Sequence, residues 1–241
     1  MASSDWSPLA NILNDSDVKR GVTAGNVPPN GGGTFVFGFA TKTNTPGGVG
    51  FYCNLANFSP TAKGASVSGA FKKSGGSGDA NHCVFLFLAL QNTDINGIGY
   101  ILGLTDDATP RLVLRKGALI SGLPDDPVGS SGILARSTDS FAIDGWLHVK
   151  LEAVSNPSGD VVLNVYKSDL VANPVTAPVW AAVDGMKDYP GGITETAFID
   201  DALGVNSGSL PLAAGRVGFG MTTSDVGRAV YLDHLTIARD T

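Results

Sequence analysis

From Thr34 onward, apolar residues recur in short runs that alternate with polar ones. In WLHVKLEAV (146–154), Leu147, Val149 and Leu151 share one phase, while Trp146, His148, Lys150 and Glu152 share the other. In DVVLNVYK (160–167), Val161, Leu163 and Val165 repeat the pattern. A period of two puts successive side chains on opposite sides of an extended chain, so each run predicts a strand with one buried and one wet face. Similar runs predict strands at 34–40, 50–54, 65–71, 83–90, 99–104, 111–116, 177–183, 216–221 and 229–238. The turn clusters NTPGG, KSGGSGD, TDDATP and SNPSGD fall between them. Many short strands punctuated by Gly, Pro, Asn and Asp predict an all-β, two-sheet antiparallel sandwich.

Two runs break the alternation. CVFLFLAL (83–90) is apolar in both phases, which predicts a central strand covered on each side. Its cover would come from the N-terminal arm, the 184–214 segment or a second subunit. In AVYLDHLTIA (229–238), Val230 and Leu232 are in one phase, and Leu235 and Ile237 in the other. A bulge near Asp233 and His234 would turn both sets to one core. Residues 1–33 read as an arm ahead of a 34–241 sandwich domain. Within the arm, Trp6, Leu9, Ile12 and Leu13 fit one short amphipathic turn, followed by a Gly-, Pro- and Asn-rich extended stretch. The long 184–214 excursion holds ETAFIDDALG, read as a single helical turn.

Composition narrows the role. Charged residues are only 16%, so Ser, Thr, Asn and Gly must supply most of the polar surface. The net charge of −6 disfavours a nucleic-acid partner, which would need clustered Lys and Arg. The nearest such group, Arg111, Arg115 and Lys116, reads as the solvent face of one strand. The longest apolar run is eight residues, against the roughly 20 that a membrane-spanning helix requires, so no membrane partner is expected. MASSDWSPLANILNDSD has neither a basic nor an apolar leader region, so no signal peptide is expected. Cys53 and Cys83 either bridge neighbouring strands or stay as two buried thiols.

Catalytic patterns are scarce. Paired carboxylates would suit glycoside hydrolysis, but the only two Glu, Glu152 and Glu195, lie in different segments. No GxSxG elbow occurs. The three histidines, His82, His148 and His234, would need to converge in space to hold a metal. No catalytic, cofactor-binding or metal-ligating residue is therefore assigned. Calcium is a weak candidate through Asp106 with Asp107, Asp125 with Asp126, Asp200 with Asp201, and the run 94–99; turn formation explains these Asp equally well. For a glycan, the candidate stacking aromatics are Tyr100, Trp180, Tyr189 and Tyr231, with Trp146 and Trp180 also suited to sheet-face packing.

Four landmarks occur in order over 140–240: GWLHVKLEAV, GDVVLNVYK, APVWAAV, and GRVGFGM followed by AVYLDHLTIA, which carries Asp233. In this the chain resembles the concanavalin A-like lectin/glucanase superfamily, in particular its laminin G-like jelly rolls. The resemblance implies two packed antiparallel sheets of six or seven strands and, in several relatives, a glycan-binding concave face. The glucanases of that superfamily place two Glu around an Asp on one strand, a pattern missing here, so no enzyme is expected.

A surface of this composition suits work outside a cell, without a leader or a disulfide framework. The expectation is a bacteriophage virion protein, made in the host cytoplasm and acting as a capsid decoration, tail or baseplate module. It would contact itself as a homo-oligomer, or other virion subunits, through Trp6, Leu9, Ile12, Leu13, Phe85 and Phe87. The alternative is a carbohydrate-binding, lectin-like module, and a glucanase-type hydrolase ranks last.

Overall fold

The computed structural model describes residues 6–8, 16–20, 37–41, 47–54, 64–74, 83–94, 96–105, 110–118, 132–142, 145–168, 178–186, 197–212, 214–223 and 229–239. Every regular element among them is a strand: β1 Trp6–Pro8, β2 Ser16–Arg20, β3 Phe37–Thr41, β4 Gly47–Cys53, β5 Ala65–Ser74, β6 Cys83–Leu90, β7 Ile98–Leu104, β8 Leu112–Ala118, β9 Ile133–Arg136, β10 Trp146–Ser155, β11 Val161–Ser168, β12 Ala181–Ala182, β13 Ala197–Asp200, β14 Arg216–Thr223 and β15 Ala229–Arg239. They form two antiparallel sheets. Sheet I is seven-stranded in the order β1-β4-β14-β6-β7-β8-β9. Sheet II is eight-stranded in the order β12-β11-β10-β5-β15-β3-β2, with β13 also beside β11. Among the described residues no helix is long and apolar enough to cross a membrane.

The alternating phases explain the layer between the sheets. Val67, Phe71, Val149, Leu151, Leu163, Val165, Val230 and Leu232 point inward from sheet II. Leu86, Leu88, Leu102, Leu114 and Phe219 meet them from sheet I. Each fully buried side chain of this size contributes about 1.5–3 kcal/mol. The bulge in β15 is present: Asp233 lies opposite Ala70 and Thr236 opposite Ser68, so β15 spends one extra residue there. His234 occupies the bulge at φ 50°. Leu235 and Ile237 thereby pack against the same core as Val230 and Leu232.

Strand β6 is central in sheet I and covered on both sides, as its double apolar phase requires. Its outward residues Phe85 and Phe87 form a second cluster with Leu90, Ile101 and Val113. Strand β14 seats these rings on glycine. A Cβ on Gly218 would lie 2.5 Å from Phe87 Cζ and 1.9 Å from the Phe51 carbonyl oxygen, and one on Gly220 would lie 2.2 Å from Phe85 Cζ. Phe87 is fully buried and Phe85 nearly so within the single chain. The expected docking surface at these two residues is therefore closed by the chain itself.

Several expectations are corrected. Trp6 does not start a helical turn. It opens β1, which pairs with β4, and its ring packs edge-on against Phe219 at 5.3 Å. Strand β2 pairs with β3, so the stretch read as an arm contributes an edge strand to each sheet. Leu9, Ile12 and Leu13 lie outside the described residues. Within ETAFIDDALG, Ala197–Asp200 form strand β13 instead of a helical turn, because Phe198 and Asp200 both find buried positions at alternate sites beside β11. Among the described residues of 177–183, only Ala181–Ala182 form a strand, β12, and ILAR (133–136) adds β9, too short for its phase to show in sequence. The Cys53 thiol is free and buried. Cys83 pairs in register with Thr222, level with Gly48 at the opposite end of β4 from Cys53.

Arg115 and Lys116 are buried, contrary to the solvent-face reading. Lys116 Nζ donates to Asp200 Oδ2 at 2.8 Å, Ser207 Oγ at 2.9 Å and the carbonyls of Ser209 and Leu210, each at 2.8 Å. The pair sits at one end of the sandwich and ties the 201–212 segment to β8. A buried charge survives there because its hydrogen bonds are met.

Candidate binding face

The polar phase of β10 faces away from the core on sheet II. Register fixes its neighbours. One row runs Ser168, His148, Ala70, Asp233 across β11, β10, β5 and β15. The next runs Tyr166, Lys150, Ser68, Thr236, and the third Asn164, Glu152, Ser66, Ala238. Small residues on β5 thus lie between larger polar and aromatic groups on β10, β11 and β15.

At the β11 side, Lys150 Nζ stands 4.2 Å from the Tyr166 ring centroid and 5.4 Å from that of Trp180. Such contacts with an aromatic face are worth about 0.5–1 kcal/mol when exposed. Glu152 accepts hydrogen bonds from the Tyr166 hydroxyl at 3.1 Å and the Asn164 amide at 3.2 Å, and sits 3.7 Å from Lys150. Burial and the Glu152 carboxylate together raise the pKa of the Tyr166 hydroxyl. The result is a fixed array of two aromatic rings, an ammonium, a carboxylate and an amide on one partly exposed face.

Beside it, His148 meets the Trp180 ring edge-on at 4.7 Å and the His234 ring at 6.1 Å. His148 is 4% exposed. Neither of its ring nitrogens has a hydrogen-bond partner, and Trp146 Nε1 and His234 Nε2 are likewise buried without one. Leaving a buried polar group unpaired costs about 1–3 kcal/mol. Burial, aided by His234, lowers the His148 pKa to about 4, so the ring is neutral at pH 7. Burial raises the pKa of the neighbouring Asp233 carboxyl, whose Oδ1 accepts the His234 backbone N–H at 2.7 Å.

Of the four aromatics proposed from sequence, Trp180 lies in this face. Tyr231 is partly exposed on β15, level with Lys72. Tyr100 is not available for stacking. It is fully buried in the core, donates to Asp200 Oδ2 at 2.5 Å and accepts the Leu212 N–H at 2.8 Å. Burial and Asp200 raise its pKa. Tyr189 lies outside the described residues, as do Glu195 and His82. Sequence reasoning placed Trp146, His148, Lys150 and Glu152 on one face but missed Tyr166, Asn164 and His234 as their companions. The alternation of DVVLNVYK held the signal for the first two; only the register of β10 against β11 joins them to Glu152.

Where they are described, the carboxylates considered for calcium accept hydrogen bonds within the chain. Asp200 binds Lys116, Tyr100 and Ser207. Asp201 accepts the backbone N–H groups of Leu203, Val205 and Asn206, which lower its pKa. Asp94 Oδ1 accepts the Asn96 N–H at 2.9 Å. The pairs at 106–107 and 125–126 lie outside the described residues. Among the described residues no three His, Cys, Asp or Glu side chains group to hold a metal ion.

No family model matches the sequence, and no curated protein matches it. Solved structures do match in fold. The potassium-bound carbohydrate recognition domain of Emp46p aligns with a TM-score of 0.52 at 11% identity, covering 99% of this chain and 90% of that one. The endo-β-1,4-glucuronan lyase of the fungus Trichoderma reesei aligns with a TM-score of 0.51 at 10% identity, covering 95% and 90%. The CBM66 carbohydrate-binding module of Bacillus subtilis aligns with a TM-score of 0.46 at 9% identity, covering 94% and 97%. At these identities the likeness to the Emp46p domain and the lyase establishes the fold alone, that of a two-sheet antiparallel β-sandwich.

Proposed function

We propose that this chain is a carbohydrate-binding, lectin-like module whose ligand rests on the outer face of β10 and β11. The observation that carries the reading is the array of Trp180, Tyr166, Lys150, Glu152 and Asn164 on one sheet face. A sugar offers apolar C–H faces and a rim of hydroxyls. The Trp180 ring suits the first, and the Glu152 carboxylate, the Asn164 amide and the Lys150 ammonium suit the second. Binding without cleavage is the matching proposal. The Glu152 carboxylate is surrounded by Tyr166, Asn164 and Lys150, and hydrolysis would need a second carboxyl group across the sugar.

The virion reading rested on composition and fold analogy, with a docking surface at Trp6, Leu9, Ile12, Leu13, Phe85 and Phe87. Trp6 is built into sheet I and the two phenylalanines are covered by the chain, so those residues give it no support. Sugar binding at a phage tail tip would reconcile the two ideas.

A glycan array with the full chain tests the proposal. Saturable binding to a defined glycan is expected, weakened about tenfold or more by Trp180→Ala or Glu152→Gln, each change removing about 1.4 kcal/mol or more. Binding to no glycan, or binding that both variants leave unchanged, overturns it.

A further inference from the structure

His148 and His234 are 86 residues apart in the chain, yet the β15 bulge brings them together on the outer side of sheet II. In the register, only Ala70 of β5 stands between His148 and Asp233. Its methyl group leaves the space above β5 to the two rings. Their centroids are 6.1 Å apart and their planes are inclined at 38°. His148 is 4% exposed, and both of its nitrogens lack a partner. His234 Nε2 is also buried without one.

Native proteins seldom leave several adjacent buried polar atoms unpaired, and a cluster of them calls for a specific explanation. A single group placed between the two rings would reach both imidazoles. Imidazole nitrogen is a favoured ligand of d-block cations, which it binds at about 2.0–2.1 Å in the case of zinc. Two rings ligating one ion from adjacent tetrahedral positions have centroids on the order of 5–6 Å apart, close to the separation here.

We propose that His148 and His234 form a two-imidazole site for a divalent d-block cation such as Zn2+, with water or a bound ligand completing its coordination. His234 is partly exposed, so the ion enters from the solvent side of the bulge. Asp233, adjacent in sequence and itself partly buried, is placed to orient the His234 backbone and offset the added charge. The site does not depend on sugar binding at Trp180 and Tyr166, although the Trp180 ring borders both.

Isothermal titration of the full chain with ZnCl2 at pH 7.5, with Co2+ absorption as an independent readout, tests it. One ion per chain is expected. Changes to outer-shell partners commonly weaken metal binding about 10–100-fold, so loss of a direct ligand should weaken it at least tenfold. His148→Phe and His234→Ala should each do so, while His82→Ala leaves binding unchanged. Should His148→Phe fail to fold by circular dichroism, His234→Ala at the more exposed position carries the test. No saturable binding, or binding lost with His82→Ala and kept by the other two variants, overturns the proposal and leaves a bridging water as the partner of the pair. Zinc binding without any glycan binding would sink the sugar reading alone; the converse would sink only this one.

Discussion

On the outer side of sheet I, Phe85 and Phe87 lie on Gly220 and Gly218, and Ile101 and Val113 close the layer. On the outer side of sheet II, Ala70 and Ser68 lie among His148, Lys150, Tyr166 and Asp233. Both faces set small residues among large ones, but with opposite consequences. The first is an apolar layer that the chain itself covers, and its rings need no outside partner. The second keeps polar groups near solvent and leaves four nitrogen atoms on His148, His234 and Trp146 unpaired. Burial alone therefore does not mark the functional side of a sandwich. What sets sheet II apart is that imidazole and indole nitrogens are among its buried atoms without partners.

Substitutions on the two faces should separate them. Phe87→Ala should destabilise the fold by about 3–5 kcal/mol, because it removes a fully buried ring from above Gly218, and urea unfolding measures this. A loss under about 1 kcal/mol would mean that the outer layer of sheet I is not a second core.

Acid should act mainly through sheet II. The folded pKa of His148 is lowered to about 4 from an ordinary value near 6.5, so its unfolded form takes up a proton first as pH falls. The stability it supports is present above about pH 6.5 and is lost on the way down to pH 4, by about 3 kcal/mol. The difference in urea stability between wild type and His148→Phe at pH 7.5 and pH 4.5 should show that slope. Parallel pH profiles would contradict the neutral, buried assignment.

The smallest effect is a gain. At neutral pH without added metal, His148→Phe should stabilise the fold by about 1 kcal/mol, since an apolar ring of similar size replaces two unpaired nitrogens. A comparable loss in thermal unfolding would show that the imidazole is satisfied after all. Taken together, substitutions should cost stability on sheet I and cost binding on sheet II.

Much of the architecture was legible in the residues. Leu147, Val149 and Leu151 against Trp146, His148, Lys150 and Glu152 gave β10 its two faces, and the phase change in AVYLDHLTIA located the bulge. The double apolar phase of CVFLFLAL required cover on both sides, which it has. Less was legible where strands are short or at edges. Trp6–Pro8 is only three residues long, and four-residue β13 looked helical because ETAFIDDALG carries good helix formers. Pairing with β4 and β11 overrode those local preferences.

Periodicity along the chain determined that this is a layered β protein, which side of each long strand is buried, and where one strand slips by a residue, because each of these is written in the spacing of neighbouring side chains. Which distant residues share a row was decided only in the folded sheets. Tyr166 reaches Glu152 through the β10–β11 register, and His234 reaches His148 through a bulge across β5. Such meetings depend on the alignment of separate strands, and no local pattern in a single strand encodes it.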